Sequence, residues 1–219
     1  MDCTKLIKEA RRLILTSSYK AHACHIGSAL SCIEIIIDLY FNRMKSKDIF
    51  IFSKASGVAA LYSTLVLKGI INENTLASYL KDYPLASKEV PGVFCTTGSL
   101  GHGLPIAVGV ALADRTRDIY CLLGDGDIDE GTTWESILFA SHHKLSNLKI
   151  IVDRNGYQAC GKVEDILDTY SALSFLGSIF PIEIVDTVKG KGIDFMENNN
   201  DWHYKNLDKE LLEAALCQI

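Results

Sequence analysis

The run Asp118-Ile119-Tyr120-Cys121-Leu122-Leu123-Gly124-Asp125-Gly126 is a short, mostly apolar stretch that stops at a glycine-flanked aspartate. A short apolar run bounded by a turn reads as a buried strand. Thirty residues after Asp125 comes Asn155, which follows a second such run, 148–153. In open α/β sheets, ligands bind beyond the carboxyl ends of parallel strands. Glycines on both sides of Asp125 let the backbone approach an anion closely. One carboxylate, one amide oxygen and one backbone carbonyl suit a hard cation such as Mg²⁺. That cation would neutralise a diphosphate, whose other oxygens can accept backbone N–H groups at a helix start. Gly-Asp-Gly or Asp153-Arg154-Asn155-Gly156 alone is more often a plain turn. The two together, each after an apolar strand, point to a site.

Outward from this pair, the spacing of apolar residues predicts a helix over 4–19, a turn at 23–27 and a buried helix over 31–44. Residues 49–52 (Ile-Phe-Ile-Phe) read as a strand, and 57–67 and 74–80 as helices, the second capped by Asn72 or Asn74. Residues 82–97 read as a loop, followed by a small-residue helix to about 113. Strands at 118–123, 148–153 and 182–185 then alternate with helices over 133–143, 164–176 and 207–216. That alternation implies an α/β fold, a mostly parallel sheet with helices on both faces. Neither a repeat nor a low-complexity linker interrupts it, so residues 1–219 read as a single domain.

The chain has 219 residues, 48% of them hydrophobic and 22% charged, enough for one α/β domain. A formal net charge of −5 argues against nucleic acid as a partner. The seven cysteines are scattered, with no Cys-x-x-Cys pair, which fits neither a zinc site nor a disulfide framework. Their use as free thiols in apolar runs fits a reducing compartment, so a cytoplasmic location is expected. No signal peptide and no membrane-spanning run is read in the sequence.

The stretch from Gly124 through Glu135, with Asn147, Asp153, Asn155, Tyr157 and Gln158, resembles the thiamine diphosphate motif of transketolases. His25-Ile26-Gly27-Ser28, Pro91-Gly92-Val93, Thr97-Gly98-Ser99-Leu100-Gly101-His102-Gly103, and Lys189-Gly190-Lys191-Gly192 through Trp202-His203 are similar to family segments in the same order. The resemblance covers nearly the whole chain. It implies the diphosphate-binding half of the fold, with thiamine diphosphate and Mg²⁺ as cofactors and Ca²⁺ or Mn²⁺ as substitutes for the metal. Asp125 and Asn155 would hold the metal with the main-chain oxygen of Tyr157. Gly124, Gly126, Leu100, His102 and Ser56 would lie at the cofactor. As catalytic residues, His25 and His203 would line the substrate channel, and Glu130 would lie near a subunit interface and link the paired active sites. His22, His142 and His143 match nothing and read as structural or surface residues.

The resemblance also implies a partner. Members of the family place the cofactor between this domain and a pyrimidine-binding domain, which is expected here on a separate chain, with two copies of each chain in the assembly. Alone, the chain is expected to be inactive. Three departures accompany the likeness. Ser56 stands where the family has a histidine, the segment 83–88 lacks the family's His-Pro pair, and the stretch between Gly161 and Pro181 is short. The first two bear on which donor is held. The expected activity is transfer of a two-carbon ketol from a ketose, expected to be phosphorylated, to an aldehyde. The alternatives are a decarboxylating carboligase acting on 2-oxo acids and a degenerate subunit that only pairs with a partner.

Overall fold

Four short apolar runs become strands: β1 (Ile49–Phe52), β2 (Ile119–Gly124), β3 (Leu148–Arg154) and β4 (Ile182–Asp186). The computed structural model describes residues 3–219. All strand pairs are parallel and the order is β1-β2-β3-β4. The helices in chain order are α1 (Cys3–Ala21), α2 (Ile26–Asp38), α3 (Val58–Leu67), α4 (Glu73–Asp82), α5 (Gly103–Ala113), α6 (Asp125–Ile128), α7 (Gly131–His142), α8 (Val163–Ile166), α9 (Tyr170–Ile179) and α10 (Lys209–Leu216). The expected α/β class with a parallel sheet is therefore what the chain forms.

The described residues divide into two compact units. The sheet unit comprises 44–55 and 94–186. Along β2, Ile119, Cys121 and Leu123 alternate with Tyr120 and Leu122, and all five are buried. A strand buried on both faces needs no polar alternation, which is why this run reads as continuously apolar. Ile51, Cys121, Leu123, Ile150 and Val152 pack in one cluster with Leu104 and Val108 of α5, Ile137 of α7, and Leu173 and Leu176 of α9.

The helical unit comprises 3–43, 56–93 and 187–219. In it α2 packs on α1 and α3, and α1 also meets α4 and α10. The N-caps follow the sequence logic. Asn72 accepts a hydrogen bond from the Asn74 N–H at 2.8 Å, and Asp208 accepts from Leu211 N–H at 2.8 Å.

Two helices differ from their sequence expectation. α2 starts at Ile26, five residues earlier than expected, and ends in a π-helical turn, Leu39–Arg43. His25 takes a left-handed conformation (φ 65°), so the turn is tighter than its composition implies and Ile26 and Gly27 are already buried in the helix. The helix expected over 164–176 is instead α8 and α9. Asp168 breaks it by accepting the Tyr170 N–H at 3.1 Å, a local side-chain bond that competes with helix. Among the described residues, no helix is long and apolar enough to cross a membrane.

Candidate active site

Parallel register places the two sequence-derived ligands side by side. Gly124 at the end of β2 pairs with Asp153 of β3, so Asp125 and Asn155 leave adjacent strands. Asp125 Oδ2 accepts the Asn155 N–H at 3.0 Å, and its Oδ1 accepts the Gly156 N–H at 3.1 Å. Asn155 Oδ1 accepts the Tyr157 N–H at 3.0 Å. Asp125 is only 3% exposed, and burial pushes its carboxyl up from the ordinary aspartate range, against the pull of Lys54 and the hydrogen bonds. A buried carboxylate beside an amide oxygen is a site that a cation would complete. The donor set therefore fits a hard divalent ion.

Asp127, Lys54 and Tyr170 are given no role in the sequence reading, yet they build this site. Asp127 is fully buried. Its Oδ1 accepts Ser53 Oγ at 2.6 Å and the Gly101 N–H at 2.9 Å, and its Oδ2 accepts the Gly124 N–H at 2.8 Å. One carboxylate thus ties together the end of β1, the 97–103 turn and the Gly-Asp-Gly loop. Burial raises its carboxyl, and the same hydrogen bonds and Lys54 oppose that rise. Lys54 donates to Asp153 Oδ2 in a buried ion pair. Its alkyl chain lies against Gly124, where a built Cβ would meet Lys54 Cδ at 3.1 Å. Tyr170, the first residue of α9, donates its hydroxyl to Asp125 Oδ1 at 2.5 Å. Burial, then the Asp125 charge, raises its phenol, so it stays protonated and acts as donor.

The 97–103 turn brings Leu100 close to Gly126, whose built Cβ would meet Leu100 Cδ1 at 3.0 Å. His102 is exposed and its Nδ1 lies 3.0 Å from the Leu100 carbonyl oxygen, so Nδ1 carries the proton. Glu130 is the exposed N-cap of α7. Gly101 has φ 74°, and a Cβ there would sit 2.5 Å from Glu130 Cβ. Gly101→Ala is therefore expected to cost about 1–3 kcal/mol in backbone strain and clash, read as a lower urea midpoint. A midpoint unchanged from wild type contradicts this.

In the helical unit, His25 and His203 come together, with ring centroids 4.8 Å apart in an edge-to-face arrangement. The His25 N–H donates to the His203 carbonyl at 3.0 Å, and Gly190 N–H donates to the Gly27 carbonyl at 3.0 Å. Gly27 packs on the Lys189 side chain, where a built Cβ would lie 3.3 Å from Lys189 Cγ. Lys189 Nζ lies 3.3 Å from His203 Nδ1. An ammonium has no lone pair, so Nδ1 accepts and the neutral ring carries its proton on Nε2. Exposed Tyr204 joins the two histidines, 4.7 Å from His203 and 6.0 Å from His25. Burial, then the Lys189 charge, lowers the His25 pKa. His25 is therefore expected to titrate below free imidazole and to be neutral at pH 7. An NMR titration midpoint at or above that of free imidazole would contradict this. Ser56 is half-buried in a one-turn 3₁₀ helix, Ala55–Gly57.

Parallel strands that end in a buried carboxylate–amide pair, with glycines beside it, define an α/β domain of the kind that holds its ligand at the carboxyl ends of its strands. The family described as transketolase, thiamine diphosphate binding domain, matches residues 3–185. One of the named subunits of the apulose-4-phosphate transketolase of Actinobacillus succinogenes is 35% identical over 95% of this chain and 92% of its own length. Its namesake from Phocaeicola vulgatus is 32% identical over 95% of this chain and 90% of its own. The crystal structure of transketolase from Campylobacter jejuni superposes with a TM-score of 0.84 at 25% identity, covering 98% of this chain and 42% of that one. The chain belongs to the transketolase family and carries its thiamine diphosphate-binding domain.

Proposed function

We propose that this chain is the diphosphate-binding subunit of a two-chain transketolase, which moves a two-carbon ketol from a phosphorylated ketose to an aldehyde. The carrying observation is the pairing of Asp125 with Asn155 at the ends of β2 and β3. The end-to-end match to relatives named as subunits, against 42% of a full-length transketolase, supports a separate pyrimidine-binding partner. Two copies of each chain are expected in the assembly.

Asp125, Asn155 and the Tyr157 carbonyl would hold Mg²⁺. Gly124, Gly126 and Leu100 would border the diphosphate, with His102 and Ser56 as further cofactor contacts. Thiamine diphosphate, when bound, supplies a nucleophilic carbon and an electron sink. His25, held neutral, can take a proton from a sugar hydroxyl or return one to an alkoxide oxygen. His203 presents Nε2–H as a donor because Lys189 occupies the other side of the ring. Glu130 lies on the exposed rim at the start of α7, where it can meet the partner chain.

Calorimetry of thiamine diphosphate, with and without Mg²⁺ and with and without the proposed pyrimidine-binding chain, tests this reading. Binding that requires both, together with ketol transfer from a ketose phosphate only in the complex, is the expected result. Full activity without a second polypeptide, or no cofactor binding in any combination, would overturn it.

A further inference from the structure

Asp125 receives three donors. Oδ1 takes the Gly156 N–H at 3.1 Å and the Tyr170 hydroxyl at 2.5 Å, and Oδ2 takes the Asn155 N–H at 3.0 Å. A carboxylate offers about four lone-pair sites. Oδ1 is therefore saturated, and the remaining site is on Oδ2, the oxygen on the Asn155 side.

The tyrosine that does this is itself held in place. The Arg154 guanidinium lies over its ring, 5.1 Å from the centroid, and Arg154 Nη2 donates to Asp186 Oδ2 at 2.8 Å. The preceding Thr169 donates its hydroxyl to Asp129 Oδ1 at 2.9 Å, and Gln158 donates to the other Asp129 oxygen. Leu173 and Leu176, further along α9, are in the core of the sheet unit. The start of α9 is thus anchored from both sides.

We propose that Tyr170 is a positioning residue of the cation site, which makes Asp125 a one-oxygen ligand and thereby favours Mg²⁺ over Ca²⁺. Mg²⁺ demands near-octahedral geometry and takes carboxylates through single oxygens, whereas Ca²⁺ accepts both oxygens of one carboxylate and a looser shell. With Oδ1 occupied by a hydroxyl and an amide, two-oxygen binding is blocked. The inference depends on the reading that Asp125 holds the cofactor's metal.

The test is titration of Mg²⁺ and of Ca²⁺ into the assembled complex saturated with thiamine diphosphate, for wild type and Tyr170→Phe. Loss of a hydrogen bond to a metal ligand typically weakens affinity by about 10–100-fold. The expected result is a Mg²⁺ Kd about tenfold weaker, a Ca²⁺ Kd changed much less, and a thermal midpoint near wild type because the ring is retained. Unchanged affinities for both ions would overturn the proposal. So would equal weakening of both, which marks a merely structural hydroxyl. Wild type that binds neither ion would instead overturn the metal reading of Asp125, a separate failure.

Discussion

Lys54→Met is expected to destabilise the chain by about 3–5 kcal/mol, the usual cost of removing one partner from a buried ion pair. Lys54 is 5% exposed and Asp153 is fully buried. Asp125 and Asp127 are buried in the same unit, and Lys54 is the one lysine or arginine among its buried described residues. Its charge opposes the rise in both carboxyls. Without it, the buried carboxylates of Asp125, Asp127 and Asp153 lose the one buried ammonium group among the described residues of their unit. The double variant Lys54→Met/Asp153→Leu removes both members of the pair and is expected to recover part of the loss, the remainder reflecting Asp125 and Asp127, which still lack the Lys54 charge. Urea unfolding measures this. A single variant that loses less than about 1 kcal/mol, the cost of a surface pair, would show that the pair is not isolated from solvent.

Asp125→Asn is expected to act in the opposite way, keeping the fold and losing the function. The amide retains an oxygen to accept from the Asn155 or Gly156 N–H, and it removes the cost of burying a charge, which the raised carboxyl reports. The Nδ2 group leaves one of the buried Asn155 and Gly156 N–H donors without its acceptor, an expected loss of about 1–3 kcal/mol that removal of the buried charge partly offsets. Cation affinity loses its charged ligand, so Mg²⁺-dependent binding of thiamine diphosphate is expected to weaken by more than ~100-fold, beyond the effect of losing an outer-shell contact. Ketol transfer should fall with it. Retained cofactor affinity in a folded Asp125→Asn complex would remove Asp125 from the metal site.

Local pattern carried the strands and most of the helices. The four apolar runs at 49–52, 118–123, 148–153 and 182–185 each became a strand within a residue or so. Asp125 and Asn155 were legible because each directly follows such a run. Lys54, Asp127 and Tyr170 were not, because their roles depend on partners distant in sequence. Lys54 meets Asp153 across 99 residues, Ser53 meets Asp127 across 74, and Tyr170 meets Asp125 across 45. No periodicity reports such a contact. The break between α8 and α9 was hidden for a different reason. Ile166, Tyr170 and Leu173 keep a helical spacing, and only the hydrogen bond from Tyr170 N–H to Asp168 shows where the helix yields.

The neighbours β1 and β2 are far apart in the chain: Asp48 and Asp118, which hydrogen-bond at the start of the two strands, are separated by 70 residues. Translation proceeds at about 5–20 residues per second, so Ile49-Phe50-Ile51-Phe52 leaves the ribosome roughly 4–14 seconds before the strand that pairs with it is complete. A bare Ile-Phe-Ile-Phe segment is a ready template for aggregation. Lys45, Lys47 and Asp48 before it, and Lys54 after it, place charge on both flanks, as gatekeeper residues do. Lys54 thus has two settings at different times: it stands as a charge beside the nascent strand while the chain is being made, and it is buried against Asp153 once the sheet has closed.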